Sequence, residues 1–299
     1  MHRFMRLSFR RFVAITLAGL AVLLVSASAS NAESPLVADE RATRQLTLPS
    51  TASALALDRA AAVRRALGLP VGVATVRRVD DTIDHATYDE IITTNSTGQQ
   101  TSVVQLNPDG RLHAAIALGL HRSMATVDDA EASMRAAAIA RAADVTAAGK
   151  PTVAHSAGAG GWLLTWPRIV AGAAVRGDGT RVALWSDGTF HSITERTAGL
   201  APAPSTPAGP AAAAEAADAF VSARFGPEAP SLDVNGSTLA WVVPNDLWNA
   251  PPPESGDRTA RLAWVVEYRA HGSLAERVVA IELWLDAGSL AVIGGDVAE

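Results

Sequence analysis

The sequence predicts an α+β protein made by writing one motif three times, a helix followed by an antiparallel sheet. Three observations predict it. Three apolar-periodic segments each close on a glycine with a proline just beyond, and alternating strands follow each of them. The helix starts fall near residues 52, 127 and 211, spacings of 75 and 84, too long a period for a solenoid.

The first helix is expected over Ala52–Leu67, stopped by Gly68 and Pro70. The second, Val127–Ala148, begins after Thr126, whose hydroxyl can cap the first turn while Asp129 holds the capping-box position. Gly149 and Pro151 are its expected stop. The third, Ala211–Phe225, lies between Gly209-Pro210 and Gly226-Pro227 and carries Ala213, Ala217, Val221 and Phe225 on one stripe.

In the first unit, Thr101–Leu106 and Arg111–Leu118 flank Asn107-Pro108-Asp109-Gly110, a type I turn. In the second, Gly177-Asp178-Gly179 and Asp187-Gly188 read as two hairpin turns separating Ile169–Val175, Arg181–Trp185 and Thr189–Thr194. A calcium loop would need more oxygen ligands and a terminal Glu, so these turns are expected to bend backbone only. In the third, Leu262, Trp264, Val266 and Tyr268 face one way, Val279, Ile281, Leu283 and Leu285 repeat the pattern, and Asp286 and Gly288 turn the chain. The expected order is a signal peptide at 1–32, a linker at 33–50, unit one at 51–125, unit two at 126–197, a Pro/Ala-rich linker at 198–210 and unit three at 211–299.

The start of the chain reads as an export signal. A basic MHRFMRLSFRR leads into an uncharged run from Phe12 to Val25, and Ala27-Ser28-Ala29 and Ser30-Asn31-Ala32 both suit a cleavage site. Arg10-Arg11 leaves a twin-arginine route open beside general secretion. Once residues 1–32 are removed, 21 basic residues face 30 acidic ones, net −9, which disfavours nucleic acid and anionic membranes. After cleavage no stable membrane span is expected. There is no cysteine, so neither a lipid-anchored start nor disulfide staples are available. Arginine outnumbers lysine 24 to 1, and alanine is abundant, as in proteins of GC-rich bacteria.

No catalytic, cofactor or metal residue is expected. H-E-x-x-H, G-x-S-x-G and G-x-x-x-x-G-K-[ST] are all missing. His85, His113, His121, His155, His191 and His271 are scattered, with His113 and His191 in strands as surface or inter-strand residues. The glycine-rich His155–Gly161 stretch precedes a strand, not a helix start that would aim amides at an anion, and reads as a turn. Asp80-Asp81, Asp89-Glu90 and Asp128-Asp129 are placed in a turn, beside a strand and at a helix start. The irregular stretch 244–257 holds an apolar pair, Leu247 and Trp248, that either folds back on its own sheet or contacts a partner.

Two stretches resemble known modules. TWPRIVAGAAVRGDGTRVALWSDGTFHSI (165–193) resembles the propeptide region of fungalysin and thermolysin-type proteases, with Ala173-Ala174-Val175 where that pattern has Ile-Pro-Val. LAWVVEYRAHG…ERVVAIELWLDAGSLAVIGGD (262–296) is similar to the PepSY-type module: Asp286-Ala287 fit it, while Gly288 comes early. The resemblance spans residues 126–299 and implies a cystatin-like layout, one helix across an antiparallel sheet. It also implies an extracytoplasmic role in holding, inhibiting or regulating a peptidase. No protease segment follows unit three in this sequence. The expectation is therefore a secreted, periplasmic or envelope protein that is not an enzyme and binds a protein partner, a secreted peptidase being the candidate. The alternative is a structural or apolar-ligand-binding protein of the cell envelope, its seven tryptophans lining a cup.

Overall fold

The computed structural model describes residues 43–46, 50–81, 86–119, 123, 125–156, 161–250 and 259–298. The expected signal peptide (1–32) and most of the first linker lie outside them. Three helices are present, α1 (Ser50–Ala66), α2 (Asp129–Ala142) and α3 (Pro210–Phe225). A short strand β1 (Thr43–Leu46) precedes α1, which is followed by β2 (Val73–Asp81), β3 (Ala86–Thr94), β4 (Gln100–Leu106) and β5 (Leu112–Ala117). After α2 come β6 (Thr152–Ser156), β7 (Gly161–Val170), β8 (Ala173–Trp185) and β9 (Phe190–Arg196). After α3 come β10 (Leu232–Val242), β11 (Arg261–Ala270), β12 (Ala280–Asp286) and β13 (Val292–Ala298). One helix and then four strands occur in that order three times, and all strands belong to one large mixed sheet.

The first two units are fused edge to edge. Their last strands, β5 and β9, pair antiparallel at Ala114↔Thr194, Ala115↔Ile193 and Ile116↔Ser192. The resulting strand order is β1-β2-β3-β4-β5-β9-β8-β7-β6, and α1 and α2 lie side by side on one face of it. Alternation decides that face. Ile91, Val104, Leu106, Leu112, Ala115, Leu164, Trp166, Val182, Leu184 and Ile193 point to the helices and form one core with Ala56, Ala60, Val63, Ala132, Ala136 and Ala140. The helices meet the sheet through alanines, which lets their backbones come close and confines the bulk to the strands.

Local chemistry explains the helix ends. Gly68 has φ 64, its amide reaching Arg65 O at 3.3 Å and the Leu69 amide reaching Arg64 O at 2.9 Å, a Schellman stop. The second helix is shorter than its alanine-rich sequence suggests. Asp128, not Thr126, caps it by accepting from the Glu131 amide at 2.8 Å. It ends at Ala142 because Asp144 takes φ 59, with the Val145 amide returning to Ala140 O at 3.1 Å. Aspartate does there what glycine does after α1, five residues before the expected break at Gly149.

Two further expectations are corrected. Asp80-Asp81 are the last residues of β2, paired with both β1 and β3, not a turn. Gly177-Asp178-Gly179 is not a hairpin turn either. The β7–β8 turn is Ala171-Gly172, both at positive φ (50 and 81), and residues 176–178 bulge out of β8 between the pairs Arg168↔Val175 and Pro167↔Gly179. Without the bulge β8 would stay flat; with it, β8 serves β9 along one half and β10 along the other.

Unit three attaches at that point through a short parallel contact, Ala240↔Ala174 and Trp241↔Val175, with a second parallel bridge at Leu200↔Ala260. Ala173, Val175, Trp241, Ala260, Leu262 and Ala287 form a small core at this joint. Arg176, on the β8 bulge, forms a two-pronged ion pair with Glu282 of β12. The 198–210 segment, expected as a linker, is pinned down at Ala208. Trp264 Nε1 donates to Ala208 O at 2.9 Å, and the Ala208 amide donates to Ala287 O at 2.7 Å. The core of unit three, centred on Val266, Tyr268, Ile281, Leu283 and Leu285, lies under Ala217 and Val221 of α3.

The alanine contact of α2 makes a direct prediction. Ala136 is fully buried between Ala132 and Ala140, so Ala136→Leu should overpack the joined core and cost about 1–3 kcal/mol. Urea unfolding monitored by tryptophan fluorescence measures it. A midpoint equal to that of the wild type would contradict the close helix–sheet approach.

Candidate binding surface

The helices cover one face of the joined sheet. The other carries Tyr88, Ile92, Val103, Ala114, Ile116, Leu163, Ala183, Trp185, Ser192 and Thr194 by strand alternation, and no helix among the described residues lies on it. Along the β5–β9 seam this face carries Ala114, Ile116, Ser192 and Thr194, with Ala183 of β8 beside Ser192. Ala114, Ala183 and Ser192 are 5, 7 and 8% exposed.

A histidine stands at each end of this seam. His113 follows Asp109-Gly110-Arg111-Leu112, and His191 follows Asp187-Gly188-Thr189-Phe190, so both arise from the same pattern. Each lies where the strand after the turn carries an extra residue, at register shifts opposite Gln105/Leu106 and Ala183/Leu184. His113 stacks on Tyr88 with centroids 5.3 Å apart and planes 9° apart, and His191 lies 4.2 Å from Trp185. By the seam register His191 falls opposite residue 117, four positions from His113, so about 14 Å separates the two pairs along the strands. Reading the histidines one at a time missed this arrangement; the repeated Asp-Gly-x-apolar-His signal at 109–113 and 187–191 could have found it.

The charged groups of this face are ordered by neighbouring strands. Glu90 accepts from Arg77 Nε at 2.6 Å and from Gln105 Nε2 at 3.1 Å, and Asp89, on the helix side, is gripped by Arg78 at 2.8 and 3.1 Å. The Asp89-Glu90 pair is therefore bound by arginines on β2 rather than poised for acid–base work. Arg181 stands on the helix-free face opposite Thr165 and Thr194. Burial and the neighbouring Arg196 push its pKa down, while Asp178 opposes them.

The turn residues singled out in the sequence have distinct settings. Asp187-Gly188 does turn β8 into β9, with the Gly188 amide on Trp185 O at 2.8 Å and the Thr189 amide on Asp187 Oδ1 at 3.0 Å. Gly188 has φ 78, and a Cβ there would meet Arg135, which holds Asp187 O at 3.0 Å. Asp178 is buried and accepts from the Ala198 amide at 2.6 Å and Arg168 Nη1 at 3.2 Å, fastening the end of unit two; Gly177 and Gly179 flank it at φ 80 and 114. Asp286 accepts from the amides of Gly288 and Ser289 at 3.0 and 2.9 Å. Against the effect of burial, those bonds hold its carboxyl below the ordinary range.

Leu247 and Trp248 lie against their own unit. Trp248, half-buried, takes φ 64, donates from Nε1 to Glu282 O at 3.0 Å and meets Phe220 and Phe225 edge-on at 6.5 and 5.8 Å. Residues 251–257 of that loop are outside the described ones. On the opposite face of unit three, Glu267, Glu282 and Asp296 form one cross-strand row lining a shallow depression. Burial and Glu282 raise the Asp296 carboxyl above its usual range. Among the described residues no group of His, Cys, Asp and Glu is arranged to hold a metal, and no helix is long and apolar enough to cross a membrane.

No protein-family model matches the chain, and no curated protein is similar to it. Among solved structures it is similar to the Bacillus megaterium YpeB C-terminal domain, at 12% identity and a TM-score of 0.45, over 86% of this chain and 99% of that one.

The half-buried setting of His191 has a pH consequence. Burial lowers its pKa, so the folded protein keeps the imidazole neutral at a pH where an unfolded chain already binds a proton. Stability is therefore expected to fall as pH drops through the unfolded value of about 6.5, and to stop falling on this account once the folded pKa is passed. An NMR titration should place the His191 midpoint below 6.5, and His191→Gln should flatten that part of the stability curve. A midpoint at or above the unfolded value would contradict the assignment.

Proposed function

We propose that this is a non-catalytic, exported binding protein of tandem PepSY-like, cystatin-like units, and that its partner is a polypeptide of the extracytoplasmic space, with a secreted peptidase as the first candidate. The observation that carries this reading is the helix-free face of the joined sheet. A seam of Ala114, Ile116, Ser192 and Thr194 runs between two aromatic–histidine pairs, with Arg181 beside it. Ile116, part-exposed among Ala114, Ser192 and Thr194, offers an apolar contact to a partner's side chain. The half-buried rings of His113, Trp185 and His191 supply flat contact area at little entropic cost, and the arginine takes up a carboxylate. The acidic balance of the chain beyond residue 32 keeps such a module soluble and away from nucleic acid. The resemblance of residues 165–193 and 262–296 to protease propeptide and PepSY-type modules points to the peptidase class.

Inhibition of secreted peptidases by the purified protein, together with affinity capture from the native medium and envelope, tests the proposal. A captured peptidase should be released by Trp185→Ala and by His191→Ala, each weakening binding about tenfold or more, on the order of 1.4 kcal/mol. If those variants bind as the wild type does, the face is not the site. If a lipid or glycan shifts tryptophan fluorescence and no protein is captured, the envelope-ligand alternative replaces this one.

A further inference from the structure

The loop after β10 occupies the edge of β13, and the geometry points to a latch that holds back self-association of this chain through that edge. β13 is the last strand of unit three, as β5 and β9 are of units one and two. In those two units the last strands pair with one another and the two cores merge. In unit three both halves of that neighbour are imitated by residues 245–248. Asn245 imitates the strand. Its amide donates to Ile293 O at 3.1 Å, its Nδ2 donates to Gly295 O at 2.8 Å, and its Oδ1 accepts the Gly295 amide at 3.1 Å. The Val297 amide is taken at 2.8 Å by its neighbour Asp296. Trp248 imitates the neighbouring core, its indole lying against Phe220 and Phe225 of α3 where units one and two have each other.

The strand is shaped for this cover. A Cβ on Gly294 would sit 2.6 Å from Asn245 Oδ1, and one on Gly295 would collide with Trp248 Nε1 and Glu282 O. Trp248 keeps a left-handed φ of 64, costly for a bulky residue, so the latch stores strain that its release relieves. Once it lifts, an unpaired strand edge and two phenylalanines are uncovered together. The partner that fits both is a second copy of unit three, β13 against β13, in the antiparallel sense already used by β5 and β9. This inference does not rest on the helix-free face and stands or falls apart from it.

Light scattering on size-exclusion fractions of the purified protein tests it, with circular dichroism as the check on folding. Asn245→Ala combined with Trp248→Gly, glycine being at ease at that φ, should raise the molar mass about twofold over the wild type. Adding Val297→Pro, which removes an edge-facing N–H from an edge strand, should return the mass to the wild-type value. Asn245→Ala alone keeps the indole in place and should speed exchange of the Gly295 amide at least tenfold. The inference is overturned if the folded double variant keeps the wild-type mass, or if the heavier form persists with Val297→Pro. Should the double variant not fold, unchanged exchange at Gly295 in Asn245→Ala overturns it equally.

Discussion

The three residue pairs between β5 and β9 hold the rest of this architecture in place. A four-stranded sheet under one alanine-faced helix has little core of its own, and its last strand presents unpaired backbone to water. Joining the two last strands removes both edges at once. It also sets α1 and α2 against each other, so that Ala60 and Ala136 belong to one apolar interior. The seam carries Ala115 and Ile193 towards the helices and Ala114, Ile116, Ser192 and Thr194 on the other side. The helix-free face is thus a by-product of the way the core is completed.

Charge is organised by the same strands. With no cysteine and a single lysine, the chain relies on arginines reaching across ladders. Arg77 and Arg78 hold Glu90 and Asp89, Arg168 holds Asp178, and Arg176 reaches from unit two to Glu282 in unit three. A guanidinium binds a carboxylate with two parallel donors and so fixes direction as well as distance, which an ammonium does not. Most of these pairs are part-exposed and are worth little individually. What they contribute is register, particularly where β2 and β3 would otherwise slide.

Much of the fold was legible because it rests on local chemistry. Gly68 and Gly226 stop their helices as glycine before proline should, and the alternation of Leu262, Trp264, Val266 and Tyr268 gives the core face of β11. The misreadings come from contacts distant in sequence. Asp144 ends α2 in the left-handed conformation that aspartate tolerates, and its carboxylate meets Arg59 of α1 at 3.4 Å. Gly177-Asp178-Gly179 looks like a hairpin turn, but Asp178 is claimed by Ala198 and Arg168, and the turn belongs to Ala171-Gly172. Of the binding surface, the sequence displayed the two Asp-Gly-x-apolar-His stretches yet not their relation. That relation exists only because β5 and β9 pair, a connection between residues about eighty positions apart with no local signature. Leu247 and Trp248 stood out as apolar residues among prolines. The seat of Trp248 on Gly295 could not be read from either end alone.

The parallel ladder between β8 and β10 spans two residue pairs, against seven or more in the ladders on either side of β11. So narrow a bridge transmits cooperativity poorly: heat or denaturant can melt the carboxy-terminal third as its own foldon while the nine-stranded body persists. Calorimetry of such a molecule would trace two endotherms rather than one, and any single melting temperature quoted for it would describe neither part.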